Sequence, residues 1–321
     1  MTTSGTAAAE LTAVPASLWR HGDFLKLWVG QSISELGSSV TLLALPLAAI
    51  LVLRASAFQV ALLSAVGLLP LLLFGLPAGV WADRVRRRPI MIVTDAGRAV
   101  VLLTVPIAFG LGVLGMPQLY AVAFAAGTLS VFFNVAYQSY VPSLVDRAQL
   151  VDANAKLQLT SSGAEVAGPG IAGVLIQLVT APVAIAADCL SFVGSALLVL
   201  SIRRRGEAVD AGARAAAAPS GMLRPAWEGL RFLTGHELLR PIAVTAAANN
   251  LFGGMIQALL FVYAIRDLHV PTGLVGAIPT IGNAGLIVGA TAATRLVRRL
   301  GIGPAIVVSG LVAGAAGLVV P

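Results

Sequence analysis

Glu35 is the residue with the most chemistry to offer. It lies about 16 Å beyond Phe24, at 1.5 Å rise per residue, inside an apolar run, and Gln31 precedes it by one turn. An ionised carboxylate at that depth in lipid is expensive. It either faces a wet cavity, where it titrates or binds a cation, or packs as a protonated acid hydrogen-bonded to Gln31. Glu165 poses the same question about 13 Å beyond Lys156 in a later run. It precedes Gly168-Pro169 on one helical face, where Ala164, Gly168 and Ala172, with Gly173 beside them, permit close helix approach. Pro169 removes one backbone hydrogen bond and can kink that helix. Asp95 and Arg98, three residues apart, share a helical face and can pair directly. Asp188 reads as a structural polar group. Asn134, Gln138 and Asn249, with Asn250, Gln257 and Asn283, either line a cavity or hydrogen-bond neighbouring helices.

These groups suit the movement of protons and solutes, not bond cleavage. The sequence contains no nucleophile elbow and no P-loop for ATP-driven transport, so it reads as a non-enzyme. His21, His236 and His269 show no ligand spacing, and Cys189 is alone, so neither a metal site nor an intrachain disulfide is expected.

The elements that must position these residues are membrane spans. With 58% hydrophobic and only 11% charged residues, and a mean hydropathy of +0.91, the chain is not an ordinary soluble domain. Apolar runs near the length of a bilayer crossing recur along it. They predict spans over roughly 24–53, 59–82, 89–114, 118–140, 157–179 and 183–202, then 241–265, 273–293 and a ninth from Gly303, within which the sequence stops. The expected organisation is a tail over 1–23, a six-helix unit over 24–202, a linker with a surface amphipathic helix over 203–240, and a further membrane unit over 241–321.

The turn between the second and third spans, Gly79-Val-Trp-Ala-Asp83-Arg84-Val-Arg86-Arg87-Arg88, carries four arginines and must lie at a membrane surface. Of 21 Lys and Arg residues only Arg54 and Arg266 fall in expected outer turns, which puts this turn and the N-terminus on the cytoplasmic side. The net charge of +7 resides in such turns and not on a basic face with interleaved aromatics, so nucleic acid is excluded as a partner. Among the inner turns, one is expected over 141–156 and another at Arg295-Leu-Val-Arg298-Arg299. A single offset pairs Asp23 with Glu237, Lys26 with Arg240 and Glu35 with Asn249, as two parallel repeats would.

The pattern G-x-x-x-D-R-x-x-R-R at Gly79, Asp83, Arg84, Arg87 and Arg88 resembles the signature loop of the major facilitator superfamily, with Arg86 where a glycine is usual. Phe24-Leu-Lys-Leu-Trp28-Val-Gly30-Gln31, Asp95 with Arg98, Asp188-Cys-Leu-Ser191-Phe192 and Glu228-Gly229-Leu230-Arg231-Phe232 together resemble its macrolide-efflux and enterobactin-exporter-like drug:proton antiporters. The resemblance implies an all-α membrane bundle with a complete first six-helix half and a second half truncated after about three helices. It implies that Asp83, Arg84, Arg87, Asp95 and Arg98 latch the halves, and that Ala164, Gly168, Pro169 and Gly173 correspond to the antiporter motif of helix five.

The expected activity is export of small, largely apolar compounds by proton antiport with alternating access, driven by protonation of Glu35 or Glu165. It would need no cofactor and act as a monomer in the plasma membrane. The competing readings are an inactive membrane fragment and an uptake or lipid porter on the same fold. In a truncated chain, the faces around Gly67, Gly75, Gly168 and Gly173 are expected to lack one packing partner.

Overall fold

The computed structural model describes residues 18–82, 85–203 and 231–301 (apart from 233 and 238), together with 303–305, 308, 309 and 311. Within these residues all regular structure is helical. With no water inside a bilayer to satisfy N–H and C=O groups, a helix is the form in which each apolar run bonds its own backbone. The helices are α1 (Gly22–Leu51), α2 (Ala57–Ala82), α3 (Arg87–Gly110), α4 (Met116–Leu144), α5 (Leu150–Val179) and α6 (Ala181–Leu200), followed by α7 (Leu239–Arg266), the single turn α8 (Thr272–Val275) and α9 (Ala277–Leu300). Six of them, α1 to α6, are long and apolar enough to cross a membrane.

Local sequence explains where they begin and end. His21 caps α1, its Nδ1 accepting from the Phe24 amide at 3.2 Å. Ser56 and Gln59 cap α2 reciprocally: the Gln59 side chain accepts from the Ser56 amide at 2.8 Å, and Ser56 Oγ accepts from the Gln59 amide at 3.3 Å. Gly112 and Gly301, at φ of 71° and 84°, turn the chain after α3 and α9 in a region of backbone space that glycine enters without strain.

Along one flank α1 packs on α6 and α5, and α3 packs on α6 and α4; α2 lies on α4. Of the later helices, α7 rests on α2 while α8 and α9 rest on α5. One core cluster joins the two groups: Leu47, Leu102, Ile185 and Phe192 share it with Phe261 of α7 and Val275 of α8. A second cluster, around Phe24, Met91, Phe133 and Tyr140, holds α1, α3 and α4 together. Leu42, Leu72, Val100, Leu178 and Leu190 point outward and are mostly exposed, a surface suited to lipid and costly in water.

Three expectations are corrected. The inner turn expected over 141–156 is much shorter, because α4 continues past Pro142 to Leu144 and α5 begins at Leu150. Asp152 and Lys156 form an i, i+4 ion pair on that helix, the kind of pair that favours helix over turn. Arg295, Arg298 and Arg299 are helical as well. Cations in the last turn of a helix face its negative dipole end, and here the chain turns only at Gly301. The eighth span is interrupted at Gly276, which separates α8 from α9. The tail before residue 18, the linker over 206–220 and most of the amphipathic and ninth helices lie outside the described residues.

Candidate functional site

Two carboxylates and one guanidinium are buried together where α1, α3, α4 and α6 meet. Asp95 and Arg98 of α3 and Asp188 of α6 expose 0%, 5% and 1% of their surface, so none of the three is hydrated from outside. Asp95 and Arg98 pair directly. Phe133 of α4 and Phe192 of α6 cover the guanidinium, their ring centroids 4.4 and 4.1 Å from its central carbon. A desolvated cation over an aromatic face gains about 2 kcal/mol. Asp188 accepts from Thr41 Oγ1 of α1 at 2.5 Å and lies 2.9 Å from Ser191 Oγ, within electrostatic reach of both Asp95 and Arg98. Gly37 makes the α1–α6 approach possible, since a Cβ there would strike Asp188 and Ser191. Sequence spacing exposes the Asp95–Arg98 pair but cannot show that Asp188, on another helix, completes it.

The charges expected to form one inner cluster therefore divide. Arg98 lies about 15 Å along α3 from Arg88. Arg88 instead donates to the carbonyl oxygens of Val199 at 3.1 Å and Leu200 at 2.5 Å, the last of α6. Lys26 adds a bond to Ser201 O at 2.8 Å. Helix C-terminal carbonyls lack intrahelical donors and carry the negative dipole end, so two cations are well placed there. Arg87 is half-buried, Gly79 has open space beside it, and Asp83 and Arg84 lie outside the described residues.

Glu35 is half-buried on α1 and accepts from Gln31 Nε2 at 3.0 Å, with Tyr137 of α4 within electrostatic reach. Gln31 Oε1 is buried without a partner. Asn134 and Gln138 are exposed on α4, and Glu165 is exposed on α5. Asn283 of α9 donates to the backbone carbonyl of Glu165 at 2.6 Å, which makes it a helix–helix tie. Asn249 falls within α7, and its side chain lies outside the description. Among the described residues no group of three His, Cys, Asp or Glu is placed to hold a metal.

The small residues of α5 make close contacts. A Cβ on Gly168 would overlap Ser39 of α1, and one on Gly173 would come 2.7 Å from Gly273 O of α8. On the facing side, a Cβ on Gly276 would overlap the carbonyl oxygen of Pro169. The turn α8 thus meets α5 backbone to backbone, in the manner of small-residue crossings in lipid. Gly67 is likewise met by Gly127 of α4. A Cβ on Gly75 would come near Leu71 of its own helix.

Bilayer-length helices with charges gathered inside mark a polytopic membrane protein. The family model described as transmembrane secretion effector, a branch of the major facilitator superfamily, matches residues 13–320, and the chain belongs to that family. It is 28% identical over 282 residues to the multidrug efflux pump Tap of Mycolicibacterium fortuitum, covering 84% of this chain and 66% of that protein. It is 27% identical over 286 residues to Tap of Mycobacterium tuberculosis (strain ATCC 25618 / H37Rv), covering 86% and 67%. To the uncharacterized MFS-type transporter YfiS of Bacillus subtilis (strain 168) it is 26% identical over 276 residues, covering 84% and 63%. The chain spans about two thirds of the length of these curated relatives. It is a multi-pass membrane protein of the major facilitator superfamily.

Proposed function

We propose that the protein exports small, largely apolar organic compounds across the plasma membrane in exchange for protons. Alternating access would arise by rocking of α7–α9 against α1–α6, two units separated in sequence by the linker. The N-terminus and the turn carrying Arg86, Arg87 and Arg88 face the cytoplasm in this reading, as their cations require. Glu35 is the coupling carboxylate: its half-burial beside Gln31 and Tyr137 gives it both access to protons and a partner when neutral. Glu165, exposed on α5, is the alternative carrier. The proton gradient supplies the energy, no cofactor is needed, and the working unit is a monomer.

The observation that carries this reading is the α5–α8 crossing. Gly173 meets the backbone of Gly273 and Gly276 there, Gly276 lies against the Pro169 carbonyl, and the Gln177 side chain of α5 packs on Gly273. Small residues at such a crossing let the backbones approach closely and keep the helices together in lipid. It falls on the stretch that resembles the antiporter motif. The relatives named multidrug efflux pumps support the direction of transport and the drug-like substrate.

The test is dye accumulation in everted vesicles carrying this chain, energised by an inward-acid gradient. Uptake that collapses when the gradient is dissipated supports export. Uptake confined to right-side-out vesicles would make the protein an importer, and none in either would remove the transport reading for this chain.

A further inference from the structure

The buried cluster has an unbalanced set of charges. If Asp95, Asp188 and Arg98 were all ionised, two negative charges would face one positive charge in a pocket sealed from water. Arg98 is already paired with Asp95, so Asp188 is the carboxylate left over. From α3 the charged groups that face Asp188 are Asp95 and Arg98. From α1 it meets the neutral Thr41 hydroxyl, and from α6 itself Ser191 and the neighbouring Cys189 thiol. Among the described residues, no second cation balances it.

The hydrogen bonds around Asp188 point the same way. Ser191 Oγ lies 2.8 Å from the Asp188 backbone carbonyl and 2.9 Å from Asp188 Oδ1. A hydroxyl has one proton to donate and lone pairs with which to accept. The one Ser191 proton can go to the carbonyl or to Oδ1, and when it goes to the carbonyl Ser191 Oγ is free to accept from an Oδ1–H. Thr41 meanwhile donates to Oδ2. With the Ser191 proton on the carbonyl, the acid form of Asp188 supplies the proton that the Oδ1–Ser191 contact needs.

We infer that Asp188 is a proton-binding site, held in this structure as the neutral acid. When the helices part enough to admit water and the proton passes from Oδ1 to it, the net charge of the cluster falls from zero to minus one. The new carboxylate then competes with Asp95 for Arg98, whose Nε–H is buried without an acceptor. Return of the proton restores the Asp95–Arg98 pair. Because Arg98 belongs to α3, Thr41 to α1 and Asp188 to α6, each proton event redistributes bonds among three helices. A part for this event in the transport cycle rests on the proposal of proton-coupled export; the protonation itself does not.

Infrared spectroscopy of the full chain in lipid nanodiscs tests it. Wild type at neutral pH is expected to show a protonated-carboxyl C=O band that shifts on deuteration and with aspartate carrying ¹³C in its carboxyl group. Asp188→Asn should abolish the band, whereas Glu35→Gln and Glu165→Gln should keep it. Should Asp188→Asn fail to fold, Ser191→Ala, which deletes the acceptor of the acid proton, is expected to move the band to higher frequency. Absence of the band from wild type, its persistence in Asp188→Asn, or no response to Ser191→Ala would overturn the assignment. Failed vesicle transport with the band intact would count against export alone.

Discussion

The guanidinium of Arg266 donates to the carbonyl oxygen of Ala55 at 2.5 Å, joining the end of α7 to the turn between α1 and α2. Both ends lie on the side that the proposed topology places outside, and Ala55 is buried. Bonds to charged groups contribute about 1.5–3 kcal/mol. Arg266→Ala should therefore shift the protein toward outward opening by about tenfold or more. With Ala55→Cys in a Cys189→Ala background, impermeant maleimide applied from outside should react correspondingly faster once Arg266 is removed. An unchanged rate would mean that this bond does not hold the outer face closed.

Asp95→Asn leaves the Arg98 charge buried beside a neutral amide. Breaking one side of a buried pair costs about 3–5 kcal/mol. The thermal unfolding midpoint, followed by alkylation of the buried Cys189 as it becomes exposed, should fall clearly. Arg98→Lys should also lower it, because an ammonium cannot present two flat faces to Phe133 and Phe192.

Gly276→Val places a branched side chain against the Pro169 carbonyl. Overpacking of this kind costs about 1–3 kcal/mol and holds the helices apart. Insertion and expression should persist while gradient-driven dye transport is lost. The same substitution at Gly282, with open space around it, should transport normally and serves as the control.

Glu35→Gln preserves the size of the side chain and a hydrogen-bonding partner for Gln31 but cannot bind and release a proton. Dye movement driven by a pH gradient should disappear, while dye equilibration down its own gradient survives. Undiminished gradient-driven transport would pass the coupling role to Glu165 or to Asp188.

Most of the architecture was legible because membrane spans announce themselves locally: each needs only a long apolar run and a breaker. The errors came where a second signal overrode composition. Asp152 with Lys156, and Arg298 with Arg299, look like turn residues by charge yet stabilise helix ends through pairing and the dipole. Asp95 and Arg98 were readable as a pair because three residues separate them in the chain. Their association with Asp188 was not, since helix identity in space depends on which faces pack, and a single sequence does not encode that as spacing. The role of Lys26 and Arg88 was hidden for the same reason: as cations near a membrane surface they signal topology, and only the fold reveals the α6 carbonyls they satisfy.

That last arrangement constrains biogenesis. Lys26 and Arg88 are made early in translation, whereas their acceptors, the carbonyls of residues 199–201, emerge much later. These bonds cannot form until α6 has been released into the membrane. Premature termination before that point would leave these bonds of Lys26 and Arg88 unmade.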